Sequence, residues 1–515
     1  MYKKTIIKPN TYYDSVTLMS LGSKIKAVEG VKEAVVVMAT GMNKEILMNV
    51  GLGNEETEGA TQNDLIIAVE ARDDETCVEA HRMIMDKLTK GSGAAGQEAE
   101  VEYKTIRHAV KDNRAANVAV ISVPGRYAAR EAKIALNSGL HVMMFSDNVS
   151  IEEERELKEL AVSKGLLMMG PDCGTAVINH TGLCFANEVR RGNIGVVGAS
   201  GTGLQEVIVQ IDRLGGGITQ ALGTGGRDLS REIGGLMMLH GIRALAKEPD
   251  TEIIVLVSKP PEQSVADKIF ELLDTLEKPV VVCFLEGDTA RKCREGVYLC
   301  DNLLDAARTA VELAVVAQDA GREEARAARL KEEIAGARGL LLPGQKSVRG
   351  LFCGGTLCAE ALFVLRGRLG KIRSNVSHRD GEKIDGKETC RGSVLLDLGD
   401  DEFTNGRPHP MIEPSLRNDK IAEQGDDPEV GVILLDFELG YGSHGDPAGE
   451  TVPAIREARA RARAQGRELA VVGYICGTAA DKQDFAGQRA ALLAEGVILA
   501  ESNVEAAQTA ADILL

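Results

Sequence analysis

The chain has no tryptophan, and aromatic residues fill only 3% of its 515 positions, while glycine reaches 56. That balance suits compact α/β domains with many glycine turns. The ten cysteines include no C-x-x-C pair and no zinc-ligand spacing, so no metal is expected. Several of them, Cys283, Cys353 and Cys476 among them, sit in apolar runs and read as reduced and buried. No uninterrupted apolar run approaches the ~18 residues of a membrane span, and no N-terminal signal pattern is present. The expectation is a cytoplasmic protein without a membrane partner. Excess positive charge is also missing: 60 Lys and Arg against 77 Asp and Glu leave a formal net charge of −17. Nucleic-acid partners are disfavoured, because phosphate contacts need Lys/Arg patches. Small anionic substrates stay open, since they need only local amides and one or two cations.

What is present is ample core. Apolar content of 44% and charged content of 27% fit a globular protein, and the length predicts three or four domains at ~100–200 residues each. Residues 1–100 read as a small α+β domain, with strands at 3–8, 34–39 and 64–70 and helices at 15–28 and 74–88, in a ferredoxin-like or related two-layer order. Residues 44–50 are a short helix or loop, and the glycine-rich stretch 91–96 reads as a linker. Residues 101–190 alternate helix and strand as a Rossmann-like unit, with apolar strands at 118–123, 141–145 and 166–169 and helices at 126–138 and 151–164. Its turn Pro124-Gly-Arg-Tyr127 lacks the dinucleotide fingerprint, so NAD is not expected. Residues 191–330 form a doubly wound unit with strands at 193–197, 217–222, 252–257 and 280–284, followed by a helical bridge at 322–338. Residues 346–515 form another, with strands at 349–353, 393–398, 430–436 and 469–474 and helices at 453–465 and 481–495.

Two strand-to-helix turns share one spelling. The first is Gly198-Ala-Ser-Gly-Thr-Gly-Leu-Gln-Glu206 and the second Gly354-Gly-Thr-Leu-Cys-Ala-Glu360. Each contains Gly-Thr-x-x-x-Glu where a strand gives way to a helix. Glycines there permit a tight turn and close approach of a ligand, and the helix N-terminus favours an anion. Ser200, Gly201, Thr202, Gly354, Gly355 and Thr356 are therefore expected to form two facing corners that bind one phosphate-like group. Either turn alone is equally what any doubly wound domain requires.

The phrases Val118-Ala-Val-Ile-Ser-Val-Pro124, Gly170-Pro-Asp-Cys173, Asn193-Ile-Gly-Val-Val-Gly-Ala-Ser-Gly-Thr202 and Gln220-Ala-Leu-Gly-Thr-Gly-Gly226 occur in an order that resembles the succinyl-CoA synthetase α subunit. Met143-Met-Phe-Ser-Asp-Asn-Val149, Gly225-Gly-Arg-Asp-Leu-Ser-Arg-Glu232, Val257-Ser-Lys-Pro-Pro261, Leu396-Asp-Leu-Gly-Asp-Asp401 and Gly406-Arg-Pro-His-Pro-Met-Ile-Glu-Pro414 resemble the FdrA family of that superfamily. The resemblance spans essentially the whole chain. It implies a CoA-binding-type Rossmann domain at 101–190, then two flavodoxin-like ligase domains that the synthetases carry on separate α and β subunits. It also implies that Ser200, Thr202 and Glu206 match the α-subunit phosphate turn and Gly354–Thr356 the β-subunit turn.

Two departures matter. Where the synthetases carry a phosphorylated histidine, this chain reads Leu285-Glu-Gly-Asp-Thr-Ala-Arg291, with no histidine. No segment reads as an ATP-grasp nucleotide domain. The resemblance then implies a carbamoyltransferase subunit that converts oxalurate and phosphate to oxamate and carbamoyl phosphate, acting with other subunits of a hetero-oligomer. An acyl-CoA synthetase with a partner's nucleotide domain, or a non-catalytic ligand-binding scaffold, are the alternatives. Phosphate or an acyl phosphate is the expected ligand, and CoA remains possible.

Other candidates surround the corners. Glu206 and Glu360 either orient a reacting group or stabilise a helix's first turn. Arg227, after Gly225-Gly226, either pairs with an anion or forms a salt bridge with Asp228 or Glu232. Lys259 ends a strand where open α/β sheets bind ligands, or is merely solvated. Arg407 and His409, bracketed by prolines, read as an anion or acid–base pair or as a packed loop. His444 follows another strand's C-terminal edge. Asp400 and Asp401 read as solvated or capping acids rather than metal ligands.

Overall fold

The computed structural model describes every residue except Met1, Asn10, Tyr12, Asp14, Ala27, 91–102, 315–319, 385–390, Asn405 and Gly406. The expected linker at 91–96 lies outside the described residues. The rest divides into two units: residues 1–102 with 401–415, and residues 103–400 with 416–515.

In the first unit, strands Tyr2–Lys8, Leu65–Ala71 and Val31–Met38 form an antiparallel sheet with Leu65–Ala71 at its centre. All seven residues of the central strand are buried. Leu18, Ile25, Cys77 and Ile84 of the long helices pack on one face, and Leu47, Leu52 and Ala60 on the other. Burial on both faces is why Leu65–Val69 reads as an apolar run rather than an alternating pattern. The expected two-layer arrangement thus gains a third layer, made by the short helices Gly41–Asn49 and Glu55–Gly59.

The second unit holds three sheets. The smallest is parallel and consists of Val118–Ile121, His141–Met144 and Met168–Met169. In the seven-stranded sheet, Ile218–Gly223, Arg191–Gly198, Ile253–Ser258, Val280–Phe284 and Val297–Leu299 lie side by side and parallel. This is the flavodoxin-like order, with the first strand between the second and third. The hairpin Thr175–Ile178 and Thr181–Cys184 adds antiparallel to its edge through Ile218–Gly223. The six-stranded sheet is wholly parallel and repeats the scheme: Arg373–Ser374, Val394–Asp397, Ser347–Phe352, Val430–Glu438, Ala470–Cys476 and Ile498–Ala500.

The two larger sheets share one continuous core. Leu204, Val207 and Ile211 from helix Gly201–Arg213 pack with Leu357, Ala361 and Leu365 from helix Gly355–Leu369 and with Ala507 and Ala511 from helix Asn503–Leu514. In each sheet the chain reverses its winding beside its first parallel strand, where α/β folds leave a crevice for ligands. In one sheet that point is the end of Arg191–Gly198 beside Ile253–Ser258. In the other it is the end of Ser347–Phe352 beside Val430–Glu438. Both shared-spelling turns sit at these switch points.

Candidate active site

Gly201–Arg213 begins at Ser200, whose extended backbone (φ −160°) lets its Oγ accept a hydrogen bond from Gly203 N at 2.9 Å. A Cβ at Gly203 would stand 2.6 Å from Ser200 Oγ and 3.1 Å from Thr356 Cγ2, so only glycine fits. Gly355–Leu369 begins at Gly354, which has no side-chain cap. The two turns meet directly. Ser200 Oγ lies 2.5 Å from Thr356 Oγ1, and Thr356 N donates to Thr202 Oγ1 at 3.3 Å.

The second turn departs from expectation in how its amides are used. Cys353 N and Gly354 N donate to the Asp436 carboxylate, each at 2.8 Å. Asp436 lies near the C-terminal end of the neighbouring parallel strand, so its side chain reaches the turn from within the sheet. The amides of Gly354 and Thr356 are thereby satisfied by the protein itself rather than held open for an anion. Arg417, 1% exposed, braces the same carboxylate at 3.3 Å, bonds the Asp436 carbonyl at 2.6 Å and lies over the Phe437 ring.

Two more carboxylates crowd this turn. A Cβ at Gly354 would lie 2.9 Å from Glu438 Oε1, and one at Gly355 would lie 2.3 Å from Asp397 Oδ2 and 3.6 Å from Lys259 Nζ. Burial pushes Asp397 up to about 7, against the pull of nearby Lys259. Burial, and then the neighbouring Asp436 charge, push Glu438 well above the carboxylate range. Lys259 thus joins the site, brought from the end of Ile253–Ser258. Its ammonium stands beside Gly355 and Asp397 at the second turn, while the first turn begins its helix with the amides of Gly201 and Thr202. The second turn thus holds a dense set of acids.

One helical turn further along, Glu206 and Glu360 are both fully buried. Asn503 links them: its backbone N donates to Glu206 Oε1 at 3.4 Å and its Nδ2 to Glu360 Oε2 at 2.7 Å. Leu303 N also donates to Glu360, at 2.8 Å. Burial raises Glu206, and it takes Glu360 up to about 7 with repulsion from Glu206 adding to it. The two glutamates therefore cap the starts of helices Asn503–Leu514 and Leu303–Leu313, and the assignment of Glu206 to a catalytic role gives way to this bracing role.

The loop that would carry histidine in the synthetases is pinned instead. Glu286 adopts a left-handed backbone (φ 56°), and its carboxylate pairs with Arg366 at 3.1 Å and Arg379 at 3.0 Å. Holding a non-glycine residue in that region costs about 1 kcal/mol or more, and the paired guanidiniums offset it.

The remaining candidates are engaged elsewhere. Arg227 pairs with buried Glu154 at 2.8 Å and donates to Val149 O, in place of the expected partners Asp228 or Glu232. Asp228 instead receives buried Lys158, which also meets Glu154. His444 Nδ1 accepts from Asp446 N, and Asp446 caps helix Pro447–Ala464, a turn-forming role. Arg407 and His409 belong to the first unit. There His409 Nδ1 accepts from Met411 N, and burial lowers the imidazole to about 4.

Comparison with known proteins fits this architecture. A family model described as CoA-ligase matches residues 351–513, and one described as CoA binding domain matches residues 189–287. A third, described as AllF, heavy metal-associated domain, matches residues 1–104. The succinate–CoA ligase [ADP-forming] α subunit of Aquifex aeolicus is 27% identical over 42% of this chain and 70% of its own length. An ATP citrate lyase from Methanothrix soehngenii, solved with citrate and coenzyme A, matches 42% of each chain at 18% identity with a TM-score of 0.35, too low to inform function. The fold is that of the succinyl-CoA synthetase-like, acyl-CoA ligase superfamily. Within it, the chain belongs to the family of YahF, an uncharacterized protein of Escherichia coli K12, to which it is 48% identical over 98% of this chain and 97% of that protein. Among the described residues no helix is long and apolar enough to cross a membrane.

Proposed function

We propose that this chain is an FdrA-type carbamoyltransferase subunit that moves a carbamoyl group between oxalurate and inorganic phosphate. A phosphate oxygen attacks the carbamoyl carbon, the bond from that carbon to the oxamate nitrogen breaks, and the nitrogen leaves with a proton as the oxamate amide. Carbamoyl phosphate and oxamate result. The observation that carries this reading is the 2.5 Å contact of Ser200 with Thr356, together with a 285–291 loop that carries no histidine and whose Glu286 is paired with Arg366. The pair of helix turns persists, while the covalent carrier that nucleotide-driven chemistry needs does not.

Phosphate sits against the first turn, held by the amides of Gly201 and Thr202 and by Lys259. Such a site positions the nucleophile and stabilises charge on the carbamoyl oxygen. The chain works with partner subunits that supply the rest of the substrate pocket. The test is reconstitution with candidate partner subunits and a carbamoyl phosphate readout: oxalurate cleavage that requires phosphate supports the reading, and phosphate-independent turnover or none overturns it. The CoA-ligase and CoA binding matches favour a second reading, acyl-CoA synthesis with a partner's nucleotide domain. Formation of a CoA thioester from ATP, CoA and a panel of acids would establish that one instead.

A further inference from the structure

We propose that Cys353, Asp436 and Glu438 form a binding site for one divalent transition-metal ion, independent of the carbamoyl-transfer reading. One ligand atom from each lies within 4.8 Å of the others, and all three side chains are buried. Asp436 and Glu438 are alternate residues of strand Val430–Glu438, so they project to the same face. Cys353 arrives from the end of the neighbouring strand, at the start of the second turn.

Two further observations point to a ligand there. Glu438 is 3% exposed, yet its Oε1 has no hydrogen-bond partner among the described residues. A buried carboxylate oxygen left bare is costly, and such atoms call for an ion or a water. That oxygen faces Gly354, which has no side chain to fill the space; a Cβ would close to 2.9 Å of it.

Asp436 can serve although it already accepts from two amides and Arg417, because a carboxylate offers about four acceptor positions. One thiolate with two carboxylates selects a borderline ion such as zinc, cobalt or iron(II) over magnesium or calcium, which prefer oxygen alone. On binding, the Cys353 thiol and the Glu438 carboxyl release their protons to solvent. Three protein ligands leave a position for water or substrate.

Titration of the full-length, metal-stripped protein with cobalt(II) tests this. One equivalent should bind with the ultraviolet thiolate-to-cobalt charge-transfer band and visible bands of a four- or five-coordinate ion. Cys353→Ser should abolish the charge-transfer band, and Glu438→Gln should weaken binding more than ~10-fold. Cys358→Ser, a buried cysteine on the same turn's helix, should leave both unchanged. X-ray absorption of the zinc-loaded wild type needs no variant to fold, and should show a single sulfur among oxygen ligands. No cobalt uptake, uptake that survives in the Cys353→Ser/Glu438→Gln double variant, or a shell of several sulfurs each overturns the proposal.

Discussion

Ser200 Oγ and Thr356 Oγ1 stand 2.5 Å apart, one hydroxyl at the head of each of two helices that spring from different sheets. The pair joins the two flavodoxin-like layers at their switch points, and its energetics can be separated from that of any ligand. Ser200→Ala removes the cap of helix Gly201–Arg213 as well as the contact and should cost about 1–2 kcal/mol. Thr356→Ala should cost about 1 kcal/mol. In a double-mutant cycle read by denaturant unfolding, the two should be non-additive by at least ~0.5 kcal/mol. Strict additivity would mean the hydroxyls do not bond.

If the proposed phosphate site lies at the first turn, Thr202→Asp places a carboxylate at the start of its helix and should weaken phosphate binding by about tenfold, or ~1.4 kcal/mol. Lys259→Gln should do likewise. Calorimetric titration with phosphate and carbamoyl phosphate measures both, and unchanged affinity in the two variants would remove the anion site from this turn.

Glu360 and Asp397, each raised to about 7 from ordinary values of 4.5 and 3.8, make stability fall with rising pH. Each retains its proton in the folded chain after the unfolded chain has lost it. Their contribution is therefore whole below about pH 4 and declines through pH 7, at up to ~1.4 kcal/mol per pH unit for each group. Melting temperatures of the wild type and of Asp397→Asn between pH 4 and 8 check this: the variant should gain on the wild type as pH rises. A constant difference between them would show that Asp397 titrates normally.

Lys158 is fully buried between Glu154 and Asp228, at 2.8 Å from each. Lys158→Met strands two buried carboxylates and should destabilise by roughly 3–5 kcal/mol. Arg227→Ala loses only a partly exposed partner of Glu154 and should cost less. Phosphate affinity measured on Arg227→Ala should match the wild type, and a large loss would return that arginine to the anion site.

Much of this fold is legible in the sequence because parallel strands covered on both faces are continuous apolar runs. The strands Val280–Phe284 and Ile253–Ser258 stand out for that reason. The hairpin Thr175–Cys184 and the edge strands Val297–Leu299 and Arg373–Ser374 do not, being short and set by pairing partners rather than by local pattern. The two turns are legible through their shared spelling, and that they touch is a tertiary fact their spelling only hints at.

The acids around the second turn are a different matter. Asp436 and Glu438 end an apolar strand and look like the opening of a loop, so the expected strand stops at 436. Their partner Cys353 lies 83 residues before Asp436, a separation with no ligand spacing to notice. Buried Arg417 likewise gives no local signal, since its partners Phe437 and Thr451 lie 20 and 34 residues further along the chain. Arg227 misleads for the opposite reason: a glycine turn presents it, and only the fold shows that Glu154 takes it up.

Ser200 and Thr356 are 156 residues apart on one polypeptide. During translation, at about 5–20 residues per second, the first helix emerges some ten to thirty seconds before its counterpart exists. For that interval its apolar side lacks a cover and is open to chaperones or to aggregation. Once made, the couple cannot be parted by dilution, because covalent tethering fixes its stoichiometry at one to one.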